Sequence, residues 1–208
     1  MNIILKNFIN FVSSVILSYF VTDQTDILNW DVDNPLSAWS SFAYSFIGAP
    51  LRVQIPCNIL SVASFNVWAK SYDKINFIDV TCIFWVTLIT FFNIIPYIKI
   101  KKRKKIILIF NVLVCLFIIL SFLLQKYKGI LYFYSINLTK IFGGLILSTT
   151  IIVSPKYYKK EKFQKGCITL FSGSIIKYLG RKNYIEIDLS TGIFHLLTSL
   201  SIYYFSKL

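Results

Sequence analysis

Long apolar runs separated by short polar crossings divide the chain from end to end. Residues 3–21 are apolar with one lysine near the start, which fits a signal peptide or a first anchor helix. No small-residue cleavage site follows, which favours the anchor. Residues 22–36 form a polar loop carrying Asp23, Asp26, Asp31 and Asp33, with a turn at Asn34-Pro35 and Ser37 placed as a helix N-cap. Residues 38–69 are too long for one ordinary span, and Gly48, Pro50, Arg52 and Pro56 interrupt the middle. This predicts two short helices with a turn near residues 49–55. Further helices are predicted over 77–98, 105–124, 130–153 and 189–206. The run 167–179 covers only ~20 Å of a ~30 Å hydrocarbon core. It is therefore extended to about residue 185, with Lys177 and Arg181 turned to the surface. The expected fold is an all-α integral membrane protein: an N-terminal hydrophobic segment (1–21), then one polytopic domain (22–208) of seven core helices.

Composition supports that class. The chain is 56% hydrophobic and 15% charged, with mean hydropathy +0.65, whereas a soluble domain carries about a quarter charged residues. The net charge of +13 does not point to nucleic acid, because the basic residues sit in short clusters between apolar runs, where positive-inside topology places them. Alternate threading puts Arg52, Lys99 to Lys105, Lys156 to Lys165 and Lys207 on one side. The other side receives Asp23, Asp26, Asp31, Asp33, Asp73, Asp79, Glu186 and Asp188, and only Glu161 falls with the bases. The basic side is then cytosolic and the acidic side lumenal or external. Cys57, Cys82, Cys115 and Cys167 lie far apart in or beside apolar runs and read as small buried hydrophobes.

The threading gathers polar residues near one leaflet. Ser37 starts a helix on the acidic side, Ser64 ends the next one there, Asp79 opens the one after, and His195, the only histidine, enters from the same side. Ser64 and Trp68 are one helical turn apart and share a face. A carboxylate at the edge of a bilayer-length helix needs a partner or water, so Asp79 is a candidate site residue. Each has a plainer reading. Asp79 caps its helix, Ser64 bonds back to its own helix, His195 packs with a hydrogen bond, Trp68 belongs to an interface belt, and Asp31 and Asn34 are solvated loop residues.

Ser64 and Asp79 stand fifteen apart, and Thr191, His195 and Thr198 keep an HxxxHxxT spacing. In this the chain resembles the seven-helix superfamily of alkaline ceramidases, adiponectin-receptor-like proteins and GPI-remodelling phospholipases, often called CREST. It is most similar to the post-GPI-attachment phospholipase branch, whose Q-E-P-A-S type segment compares with Asp33-Asn34-Pro35-Leu36-Ser37. The branch's basic position after the first zinc histidine is matched by Lys70, with Ser71 where the family has Asp, and its terminal aromatic stretch by Ile202 to Phe205. The resemblance covers about residues 31–206. It implies a zinc held by three histidines, with Ser64 and Asp79 supporting a metal-activated water. Of the three ligand positions only His195 remains, with Trp68 at the first and Thr191 at the second. Catalytic zinc normally takes three protein ligands, so weak or absent zinc binding is expected. The implied function is a GPI-anchor lipid-remodelling hydrolase, active or inactive, in the endoplasmic reticulum or Golgi, with membrane lipids or GPI-anchored proteins as partners. The alternative is a non-enzymatic lipid-binding or scaffold subunit of a membrane complex, there or in another organelle. A third reading, an unrelated small polytopic subunit, requires Ser64, Asp79 and His195 to lie apart.

Overall fold

The computed structural model describes residues 3–21, 32–70, 73–94, 100–123 and 161–208, and between 124 and 160 only Asn137, Ile141 and Leu145. The helices are α1 (Ile3–Val21), α2 (Pro35–Ser40), α3 (Leu51–Lys70), α4 (Asp73–Ile94), α5 (Ile100–Leu123), α6 (Glu161–Arg181) and α7 (Ile187–Ser206), with α2 continuing as a 3₁₀ helix over Ser41–Phe46. All regular structure among the described residues is helical. The predicted helix over 130–153 lies outside them, apart from Asn137, Ile141 and Leu145, which are helical.

The predicted break in 38–69 is present, slightly upstream of its expected place. Gly48 takes φ 61°, a left-handed conformation that glycine adopts without cost. The carbonyl of Pro50 accepts the first amides of α3, from Val53 and Gln54. The buried Gln54 side chain closes the corner, accepting from Ala49 N–H and donating to the Ser45 carbonyl. Pro56 lies inside α3 without ending it. A proline cannot bond the carbonyl four residues back, here that of Arg52. Asn111 of α5 replaces the missing donor, its Nδ2 reaching Arg52 O at 3.0 Å while its Oδ1 accepts from Trp85 Nε1 of α4 at 2.8 Å. One buried asparagine thus ties three helices together.

Several boundaries differ from expectation. α2 begins at Pro35, so Ser37 is a residue within it and not its cap. α4 starts at Asp73, six residues before Asp79, which excludes a capping role for that carboxylate. α6 runs 21 residues from Glu161, about 30 Å at the α-helical rise, which removes the need to stretch it to 185. The sequence signal missed was that Glu161 to Gly166 continue the helix below the apolar run.

α6 and α7 form the most intimately packed pair. Gly166, Gly173 and Gly180 recur every seventh residue along α6. A Cβ on Gly166 would strike the Phe205 ring, one on Gly173 would press Leu197, and one on Gly180 would overlap Ser190. Small residues let helix backbones approach closely, and Ser201 Oγ uses that approach to reach the Gly166 carbonyl at 3.0 Å.

α1 packs on the 3₁₀ helix and α3 with Phe11 and Val15 against the Phe42–Phe65 cluster, and bonds to the 3₁₀ helix through two polar residues. Asn7 Nδ2 donates to Phe46 O at 3.1 Å, and the Ser14 and Ser45 hydroxyls pair at 2.7 Å. At one end of the bundle Ile94, Phe163 and Phe205 cluster, and Lys207 reaches the Gly48 carbonyl. At the other end the start of α2 meets the end of α3 and the start of α7. The alternating thread read from the charges likewise puts Lys207 at the first of these ends and Ser37 and Asp188 at the second. The span Asn76–Ile94 of α4, 19 residues with mean hydropathy 1.9, is long and apolar enough to cross a membrane.

Candidate functional site

The site is assembled from the first turns of α2 and α7. The Asp188 carboxylate caps α2 from outside, accepting from Ser37 N–H at 2.7 Å and Leu36 N–H at 3.1 Å, while Ser37 Oγ donates to the Asp188 carbonyl at 3.1 Å. Anionic acceptors are favoured at a helix N-terminus, where amides lack partners. This clamp fixes the register of α7 against α2. Gly192, one turn on, allows that contact, since a Cβ there would press the Leu36 backbone.

The clamp carries His195, two turns into α7 and buried, against α2. Its Nδ1 lies 3.1 Å from the Ser37 carbonyl, 3.1 Å from Ser40 Oγ and 3.4 Å from Ser41 Oγ. A carbonyl only accepts, so Nδ1 carries a hydrogen and Nε2 is the nitrogen left for other partners. Trp68 and Tyr44 flank the ring, with centroids 6.3 and 5.7 Å away. Tyr44 is itself held by Thr198, hydroxyl to hydroxyl at 2.8 Å.

Ser64 comes from the last turns of α3 and Asp79 from the second turn of α4. The Ser64 hydroxyl donates to the Asp79 carboxyl. Asp79 is 6% exposed, and its Oδ1 has no hydrogen-bond partner among the described residues. Ser64 and His195 both line one cavity of about 250 Å³, with Tyr44, Leu60, Ser174 and Thr198 among its walls. The three residues singled out from sequence therefore meet: two face the cavity, and the third stands behind Ser64.

Lys177 was expected at the surface and is half-buried, with its ammonium turned along the helix pair. Its Nζ donates to Thr191 Oγ1 at 2.5 Å and lies 5.1 Å from the centroid of the Trp68 ring. Asp79 and His195 both lie within its electrostatic reach. Trp68, expected in an interface belt, is instead a half-buried wall between His195 and Lys177. Sequence reading also passed over Asp188 as a clamp.

These residues do not fit a catalytic zinc. His195 is the one imidazole, and Trp68 and Thr191 turn toward an ammonium, which binds no metal. Among the described residues no group of three His, Cys, Asp or Glu is placed to hold an ion. Asp31, Ser71 and the Lys70 side chain, named above, lie outside the described residues. The four cysteines are free, Cys57 and Cys82 buried. Compared with family models, curated proteins and solved structures, the chain matches none of them.

Proposed function

We propose that this chain is a polytopic membrane protein that binds a membrane lipid in the cavity between Ser64 and His195, without metal-dependent chemistry. The observation that carries this reading is the cavity itself: apolar walls from Leu60, Val86, Leu170 and Ile202, with hydroxyl and imidazole groups from Ser64, Thr198 and His195 in the same space. An aliphatic tail suits the first set and a polar headgroup the second. The distribution of burial supports a membrane setting. Ser37, Gln54, Asn66, Asn93 and Ser199 are buried, while Leu108, Leu113, Ile168, Ile175 and Leu200 face outward. In lipid, polar side chains turn to the interior and apolar ones serve as the contact with solvent.

The test is lipid carried through purification in mild detergent, read by native mass spectrometry. Leu60→Trp fills the cavity and is expected to abolish the retained lipid while leaving helical content intact. Retention equal to that of the unaltered chain would count against the reading.

The meeting of Ser64, Asp79 and His195 favours a second reading, a CREST-type hydrolase remodelling the lipid of GPI-anchored proteins in the endoplasmic reticulum or Golgi. Its readout is acyl release from GPI-anchored proteins in cells dependent on this chain. His195→Ala abolishes release on this reading, and unchanged release removes it.

A further inference from the structure

We infer that Lys177 is the resident cation of this site and that its ammonium fills the space a divalent metal would need. The inference rests on reading this cavity as the functional site, and on the mismatch between the donor set and zinc. Thr191 donates its own hydrogen to the Ile187 carbonyl at 2.7 Å, so its lone pairs are what Lys177 Nζ meets at 2.5 Å. The Trp68 and Phe194 rings lie 5.1 and 5.9 Å from the same nitrogen, a distance at which an aromatic face attracts a cation. The charge of this ammonium is also felt by Arg181 one turn along α6, by Asp79 and by His195.

The two side chains at the ligand positions that departed from histidine, Trp68 and Thr191, therefore both contact one ammonium. Trp68 offers a π face and no lone pair. Thr191 offers an acceptor whose geometry is already used. A covalently tethered cation needs no loading and cannot be removed by a chelator. A dication brought beside it meets direct repulsion in a poorly screened environment. Lys177 is in this sense a positioning residue: it holds charge within electrostatic reach of Asp79 whatever metal the cell supplies.

The test uses the full chain in detergent. Zinc per chain is measured by elemental analysis, and Co(II) affinity from the visible band of a tetrahedral site. Three forms are compared: the unaltered chain, Trp68→His/Thr191→His, and that pair combined with Lys177→Ala, each checked for helicity. The unaltered chain is expected to hold no stoichiometric zinc. The triple variant is expected to take one Co(II) per chain, and the double variant, with its ammonium retained, to bind at least about 10-fold more weakly. Equal affinity of the two overturns the inference. So does failure of both, since three imidazoles would then not converge where the ammonium sits. So does stoichiometric zinc on the unaltered chain. If the triple variant does not fold, the unaltered chain decides alone: its melting temperature should not move with added zinc or EDTA, and a rise with one or a fall with the other overturns the inference. Retained lipid is read in the same samples. A zinc-bearing chain that keeps its lipid defeats only this inference, and a zinc-free chain without lipid defeats only the lipid reading.

Discussion

Helices α5 and α7 present similar apolar faces outward and very different faces inward. On α5 the exposed side is Leu108, Ile109, Val112, Leu113, Leu116 and Ile119, and the buried side is Ile107, Asn111 and Val114. Among the described residues Asn111 makes its polar link inward, to Trp85 and the Arg52 carbonyl. On α7, Leu189, Leu196 and Leu200 face out, while Ser190, Thr191, His195, Ser199 and Ser201 are buried. α5 is mostly an apolar cover, and α7 carries the imidazole and hydroxyls of the candidate site. Hydrophobicity alone does not separate them. What separates them is how many inward positions carry a group that must find a partner away from water.

The sharpest way to break the comparison is to charge the outer face of α5. Leu113→Arg should cost about 3 kcal/mol of membrane insertion if that face meets lipid. Carbonate extraction of membranes measures it, and a variant as firmly inserted as the unaltered chain would remove the outward-lipid assignment. Next in size is the α6–α7 contact. Gly180→Leu should lower stability by about 3 kcal/mol through overpacking against Ser190, read as a fall in melting temperature in detergent. Part of the loss should return in Gly180→Ala combined with Ser190→Gly; no recovery would mean the contact is looser than described. Asp188→Ala removes two charge-assisted hydrogen bonds to α2 and should cost about 2 kcal/mol. It should also reduce retained lipid, because the register of His195 depends on that clamp; stability loss with full lipid retention would separate the clamp from the site. The smallest effect belongs to Ser201→Ala, which deletes the bond to the Gly166 carbonyl and should cost about 0.6 kcal/mol. A much larger loss would show that α7 depends on single bonds and not on its whole buried face.

Particular residues show how far the sequence could be read. Ser64, Asp79 and His195 were found by threading, because apolar runs of membrane length alternate direction and so assign each polar residue to an end. The break between α2 and α3 was legible because Gly48 and Pro50 have local backbone consequences. Lys177 was not legible. A lysine in a helix near an interface ordinarily extends its head to water, and nothing local says that Trp68 and Thr191, 109 and 14 positions away in numbering, will form a box around it. The Asp188 clamp was hidden for the same reason: a carboxylate in a first helical turn is expected to serve its own helix, and here it serves another. The start of α4 was misplaced because Asp73, Lys74 and Asn76 are polar, and hydropathy cannot see helix that continues beyond the apolar run.

The sequence by itself determined roughly where the described helices fall and at which end of the bundle Ser64, Asp79 and His195 lie. Those follow from periodicity, length and charge, all local quantities. Tertiary structure alone decided the partners. Seven-residue glycine spacing brings α6 against α7, the Asp188 clamp sets α7 against α2, and the two contacts together bring one ammonium between an indole and a hydroxyl. Such placement depends on the distance between helices, and that distance is set by side chains far apart in the chain.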